Sequence, residues 1–120
     1  MTEPVTLITC SGLSKTGKLT ARAGMVVLQR FPELVETSLP ANRPPASLEE
    51  AARYAGRVLA LDGCGDACAL RRLREIGVEP DLHVVATECG IVKDGTAEPR
   101  FDEIERLAEA VLAALRGEGK

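Results

Sequence analysis

The sequence predicts an α/β fold: a three-layer sandwich with a small, mainly parallel sheet of three core strands, room for one edge strand, and helices on both faces. Two observations predict it. Short apolar, β-branched runs alternate along the chain with segments whose apolar residues recur at helical spacing. Each pair of successive runs is separated by enough residues for a helix, so the strands run parallel and are joined by right-handed crossovers. The only aromatic residues are Phe31, Tyr54 and Phe101, which leaves Leu, Val, Ile and Ala to build the core.

Val5 to Thr9 is an apolar run that ends at Cys10 and reads as a buried strand. Ser11-Gly12-Leu13-Ser14-Lys15-Thr16-Gly17 is a loop rich in turn formers. A helix then runs to about Arg30, with Leu19, Ala23, Val26 and Val27 on one face. Pro32 stops it by disfavouring helical geometry in the residue before it. Leu34 to Leu39 supplies the edge strand, and Pro40, Pro44 and Pro45 make a stiff connection. Ser47-Leu48-Glu49-Glu50 has the spacing of a capping box, in which serine bonds an amide three residues on and Glu50 reaches back. Leu48, Ala51, Ala52 and Ala55 then share a face, and Gly56 is a C-terminal stop.

Val58 to Leu61 is the second clear strand and runs into Asp62-Gly63-Cys64. The helix after it takes Gly65 or Asp66 as its cap, buries Leu70, Leu73 and Ile76, and ends at Gly77. Leu82 to Ala86 is the third strand, leading to Thr87-Glu88-Cys89-Gly90. Asp102-Glu103-Ile104-Glu105 opens the last helix. Ile104, Leu107, Ala108, Val111, Leu112 and Leu115 line one side of it, Arg116 sits favourably in its last turn, and Gly117 ends it.

At 120 residues the chain suits one domain, residues 1–120, with a single modest core. A net charge of −3 gives no pull toward nucleic acid or acidic lipid, and three aromatics offer no platform for stacked bases. No stretch approaches the roughly 20 apolar residues of a membrane span. Met1-Thr2-Glu3-Pro4 lacks the basic start and apolar run of a secretory leader. These features point to a cytoplasmic protein with no nucleic-acid or membrane partner. Thiols stay reduced in that compartment, so four cysteines read as metal ligands or redox groups rather than a disulfide framework.

Each predicted core strand leads to a cysteine: Cys10 after the first, Cys64 after the second, Cys89 after the third. Parallel strands end on one edge, where open α/β sheets bind ligands. Cys68 joins them one helical turn beyond Cys64. Zinc takes tetrahedral sulfur ligands at about 2.3 Å, and four cysteines complete a closed site. The ligand is the thiolate, and helix N-termini lower a nearby thiol's pKa. Four thiolates leave an excess of about two negative charges on zinc; Lys15 or Lys18 is a cation at hand to offset part of it, the alternative for either being a solvated side chain.

Rival chemistries fit less well. Cys64 and Cys68 at a helix start suit a thiol-disulfide redox protein, although the usual redox motif separates its cysteines by two residues and this one has three. The spacing matches neither ferredoxin pattern for an iron–sulfur cluster. Gly12 to Lys18 matches most of a phosphate-binding loop, but Leu19 stands where the motif needs Ser or Thr to hold magnesium, and Thr20 comes one place late. Were the zinc to keep an open position, with Cys89 free, Asp62 and Glu88 would be candidate bases. Hydrogen bonding or helix capping is the preferred role for both. His83, the lone histidine, reads as a packed or surface residue rather than a ligand. No enzymatic activity is assigned.

Val58-Leu59-Ala60-Leu61-Asp62-Gly63-Cys64, continued by Cys68, resembles the hallmark of the DGC domain family of zinc-binding proteins. So do Cys10-Ser11-Gly12 after the first strand, Phe31-Pro32-Glu33 after the first helix, Pro40-Ala41, and the late strand from His83 to Gly90. The resemblance covers about residues 5 to 115. It implies four chelating cysteines, which map onto Cys10, Cys64, Cys68 and Cys89, with zinc as the cofactor; it supplies no reaction.

Overall fold

The computed structural model describes residues 4–10, 12, 14–92, 95 and 97–117. Met1 to Glu3, and Ser11 and Leu13 of the first loop, lie outside the described residues. β1 (Val5–Thr9) is buried along its whole length. A strand apolar on both sides must lie inside a sheet covered twice, and that is where it sits. β2 (Val35–Pro40) and β3 (Arg57–Asp62) flank it, and β4 (Leu82–Val85) pairs with β3. All pairings are parallel, in the order β2-β1-β3-β4. The edge strand expected from Leu34 to Leu39 is therefore present as β2. Its last residue, Pro40, lacks an amide proton, which an edge strand tolerates.

Four helices cover the sheet: α1 (Lys15–Arg30), α2 (Pro45–Tyr54), α3 (Cys68–Glu75) and α4 (Phe101–Leu115). Side chains alternate across a strand. Leu7, Leu59 and Leu61 face Leu19 and Val27 of α1 and Leu107 and Val111 of α4. Ile8, Val58 and Ala60 face Leu48 of α2 and Ala69 and Leu73 of α3. The chain leaves β1 toward β2 on one side, then returns to form β3 on the other. The ends of β1 and β3 are thus the point where the strand order reverses, the usual ligand position in such sheets.

Five local expectations change. α1 begins at Lys15, inside the predicted loop, because Ser14 Oγ accepts from the Gly17 amide at 3.1 Å and caps it. α2 begins at Pro45, so the Ser47–Glu50 box does not form. Proline at a first helical position has its φ preset and no amide proton to satisfy, which starts the helix two residues earlier. α3 begins at Cys68, and neither Gly65 nor Asp66 is its N-cap; Ala67 precedes it in the left-handed conformation, φ 53° and ψ 51°. The third predicted strand stops at Val85, and Ala86–Cys89 forms one 3-10 turn. α4 begins at Phe101, one residue before the expected Asp102, with Arg100 as its N-cap and Glu103 accepting from the Arg100 amide at 2.9 Å. Among the described residues, no helix is long and apolar enough to cross a membrane.

Candidate metal centre

Cys10 directly follows β1, and its amide continues the ladder by donating to the Leu61 carbonyl at 2.9 Å. Its carbonyl lies 3.0 Å from the Thr20 hydroxyl, which also reaches the Gly17 carbonyl at 2.8 Å. The strand and the first turns of α1 therefore fix this residue from both sides. Cys10 is buried, 8% exposed. Burial pushes its thiol up, and the neighbouring Cys68 and Asp62 add to that; the Gly12 and Gly63 amides act in the opposite direction. Cys10 thus has two donors for a thiolate and a second cysteine within electrostatic reach.

Gly63 holds its place by lacking a side chain. A Cβ there would lie 2.7 Å from the Thr16 carbonyl carbon and 2.8 Å from the Thr16 Cβ. The loop after β3 is pressed against the first turn of α1, and any other residue would push it away.

Cys64 is half-buried and Cys68 is exposed. Cys64 Sγ donates to the Asp66 carboxylate at 3.6 Å, and Arg71 Nη2 lies 3.9 Å from Cys68 Sγ. Behind them stands Asp62, the fully buried last residue of β3. Its Oδ1 accepts from the Ala69 amide at 2.6 Å, and its Oδ2 accepts from the Leu70 amide at 3.2 Å. His83 Nε2 lies 2.8 Å from the same Oδ2. Asp62 therefore caps α3 from the strand, the role preferred for it over that of a base.

Cys89 is oriented differently. The 3-10 turn after β4 folds its sulfur back, so that Sγ donates to the Val85 carbonyl at 3.4 Å. It packs with the core beneath α1 and α4 and lines a cavity of about 260 Å³ with Glu88 and Ala110. Burial, then the Glu88 charge, pushes this thiol up. Cys68, in contrast, opens the helix on the opposite face of the sheet. All four cysteines are free thiols. Among the described residues, no three His, Cys, Asp or Glu side chains already converge as a metal shell.

Two expectations are corrected by ion pairs. Lys15 is buried and its Nζ lies 2.7 Å from Glu103; Lys18 Nζ lies 2.8 Å from Glu98. Both lysines thus pair with carboxylates of the α4 approach, and the lysine of the phosphate-loop-like segment, Lys18, is held by Glu98. His83 is the residue that sequence reasoning undervalued. It pairs in register with Ala60, on the strand face that also carries Asp62. Only cross-strand register makes that proximity visible.

The family model described as DGC domain matches residues 6–111 of the chain. No curated protein and no solved structure matches it.

Proposed function

The chain belongs to the DGC domain family, and on that premise we propose that it binds one zinc ion through Cys10, Cys64, Cys68 and Cys89. One observation supports the proposal. Cys10 directly follows β1 and Cys68 opens α3, two different elements whose cysteines lie within electrostatic reach of each other, with Cys64 in the loop between β3 and α3. The donors suit the metal: zinc favours thiolate sulfur, and the Gly12 and Gly63 amides favour the charged form of Cys10. Cys89 would join by turning its sulfur away from the Val85 carbonyl, a sulfur contact at 3.4 Å that costs little to give up. When bound, zinc would supply a cross-link between the end of β1, the start of α3 and the turn after β4.

Metal content per chain, measured on protein purified without a metal-affinity tag, tests this directly. About one zinc per chain and no visible absorption are expected. Metal that binds only the folded chain stabilises it, so complete chelation should lower the melting temperature. Cys64→Ser and Cys68→Ser should each lose the ion; zinc retained by both would remove these residues from the site. Cys89→Ser distinguishes a closed shell, which loses the ion, from three sulfurs and a water. A metal-free protein with a reversible Cys64–Cys68 disulfide would replace zinc with thiol-disulfide exchange.

A further inference from the structure

We propose that Asp62 and Gly63 are positioning residues for the sulfur site: Asp62 sets the place of Cys68, and Gly63 sets the surroundings of Cys10. The inference rests on the zinc reading above and assigns the two residues that precede Cys64 in the chain.

A fully buried carboxylate is costly unless its oxygens are satisfied. Asp62 is fully buried, and its donors come from two elements. Two are the amides of Ala69 and Leu70, the second and third residues of α3, immediately after Cys68. The third is His83 of β4. A helix start that needed nothing but capping would be served by a serine or aspartate directly before it. Here the residue before the helix is Ala67, in a left-handed conformation that a Cβ disfavours. The cap comes from the sheet instead. That arrangement ties the first turn of α3, and Cys68 with it, to the end of β3 beside Cys10.

Gly63 completes the arrangement. Its missing Cβ lets the loop close on Thr16 in the first turn of α1, the helix whose Thr20 hydroxyl holds the Cys10 carbonyl at 3.0 Å. Two successive residues therefore locate two sulfurs that come from different elements. Groups that orient metal ligands in this way commonly change affinity by about 10–100-fold when altered.

The test uses the full chain, with zinc affinity measured by competition against a chromophoric chelator and melting measured on metal-free protein. Asp62→Asn keeps the shape and one acceptor oxygen but cannot serve all three donors. It should weaken zinc binding at least about tenfold. Leu73→Ala, in the buried face of the same helix, lowers stability without touching the cap and should leave affinity within about threefold. His83→Ala removes only the strut from β4 and should fall between wild type and Asp62→Asn, giving a second readout should Asp62→Asn fold poorly. Affinity losses that follow melting temperature alike in Leu73→Ala and the Asp62 and His83 variants would overturn the positioning role. Equal zinc affinity in wild type, Asp62→Asn and His83→Ala would overturn it too while leaving the zinc site standing. A wild-type chain that takes no zinc overturns the zinc reading, and the proposal with it.

Discussion

Replacing Glu103 by glutamine should cost the protein about 3 kcal/mol, and the loss should fade in acid. The carboxylate is buried, like its partner Lys15, and the two side chains are 10% and 8% exposed. One oxygen meets Lys15 Nζ at 2.7 Å, and the other accepts from the Arg100 amide at 2.9 Å. Glu103→Gln keeps an acceptor for Arg100 but leaves a buried ammonium without its counter-charge. Breaking one side of a buried pair typically costs about 3–5 kcal/mol, and the slight exposure argues for the lower end. At about 3–4 °C per kcal/mol for a chain of this size, the melting temperature should fall by roughly 10 °C. The pH dependence has a definite sign. Lys15 first, then the Arg100 amide, holds the Glu103 carboxyl below its ordinary value of 4.5. Its contribution is therefore complete above about pH 4.5 and is lost as pH falls through the lowered value. Thermal melts of wild type and Glu103→Gln from pH 7 down to about pH 3 should converge. A melting temperature within about 2 °C of wild type at pH 7, or a difference that stays constant into acid, would refute the clamp between α1 and α4.

Gly63→Ala places a methyl group 2.7–2.8 Å from the Thr16 backbone, which cannot yield as a flexible side chain would; denaturant melts should show a loss of about 1–3 kcal/mol, and an unchanged midpoint would contradict the contact. Ala67→Gly should stabilise the metal-free protein by about 0.5–1 kcal/mol, since glycine relieves the left-handed strain at the expense of a freer unfolded chain; a destabilised variant would mean that the Ala67 methyl makes a contact worth more than the strain.

What the sequence disclosed depended on how local the deciding interaction is. β1 and β3 were legible because their apolar runs are buried on both faces, and α1 because Leu19, Ala23 and Val27 repeat at helical spacing. At α2 two local signals competed, and proline's preset φ prevailed over the serine box. The cap of α3 was misplaced because the group that satisfies it lies on a strand, seven residues before Ala69. Lys15 and Glu103 meet only after α4 returns to lie beside α1, so no window along the chain could pair them. His83 is the sharpest case. It reads along the chain as a packed or surface residue, yet its partner is set by the β3–β4 register.

The position of Cys89 follows from the same distinction. The strand pattern correctly brings three strands to one edge, but an edge fixes where a backbone ends and not where a sulfur points. Cys10 needs no further turn, because it is the next residue after β1 and its amide still belongs to the ladder. Cys64 and Cys68 are held in place by the Asp62 cap and the Gly63 contact. Cys89 ends the 3-10 turn after β4, which is tied to the loop after β3 by the Thr87 amide donating to the Gly63 carbonyl at 3.3 Å, and its thiol donates to the Val85 carbonyl. Three sulfurs thus lie on elements anchored to β1 and β3, and the fourth depends on one short turn. Cys89 is therefore the cysteine whose replacement separates the proposed closed zinc shell from an open one.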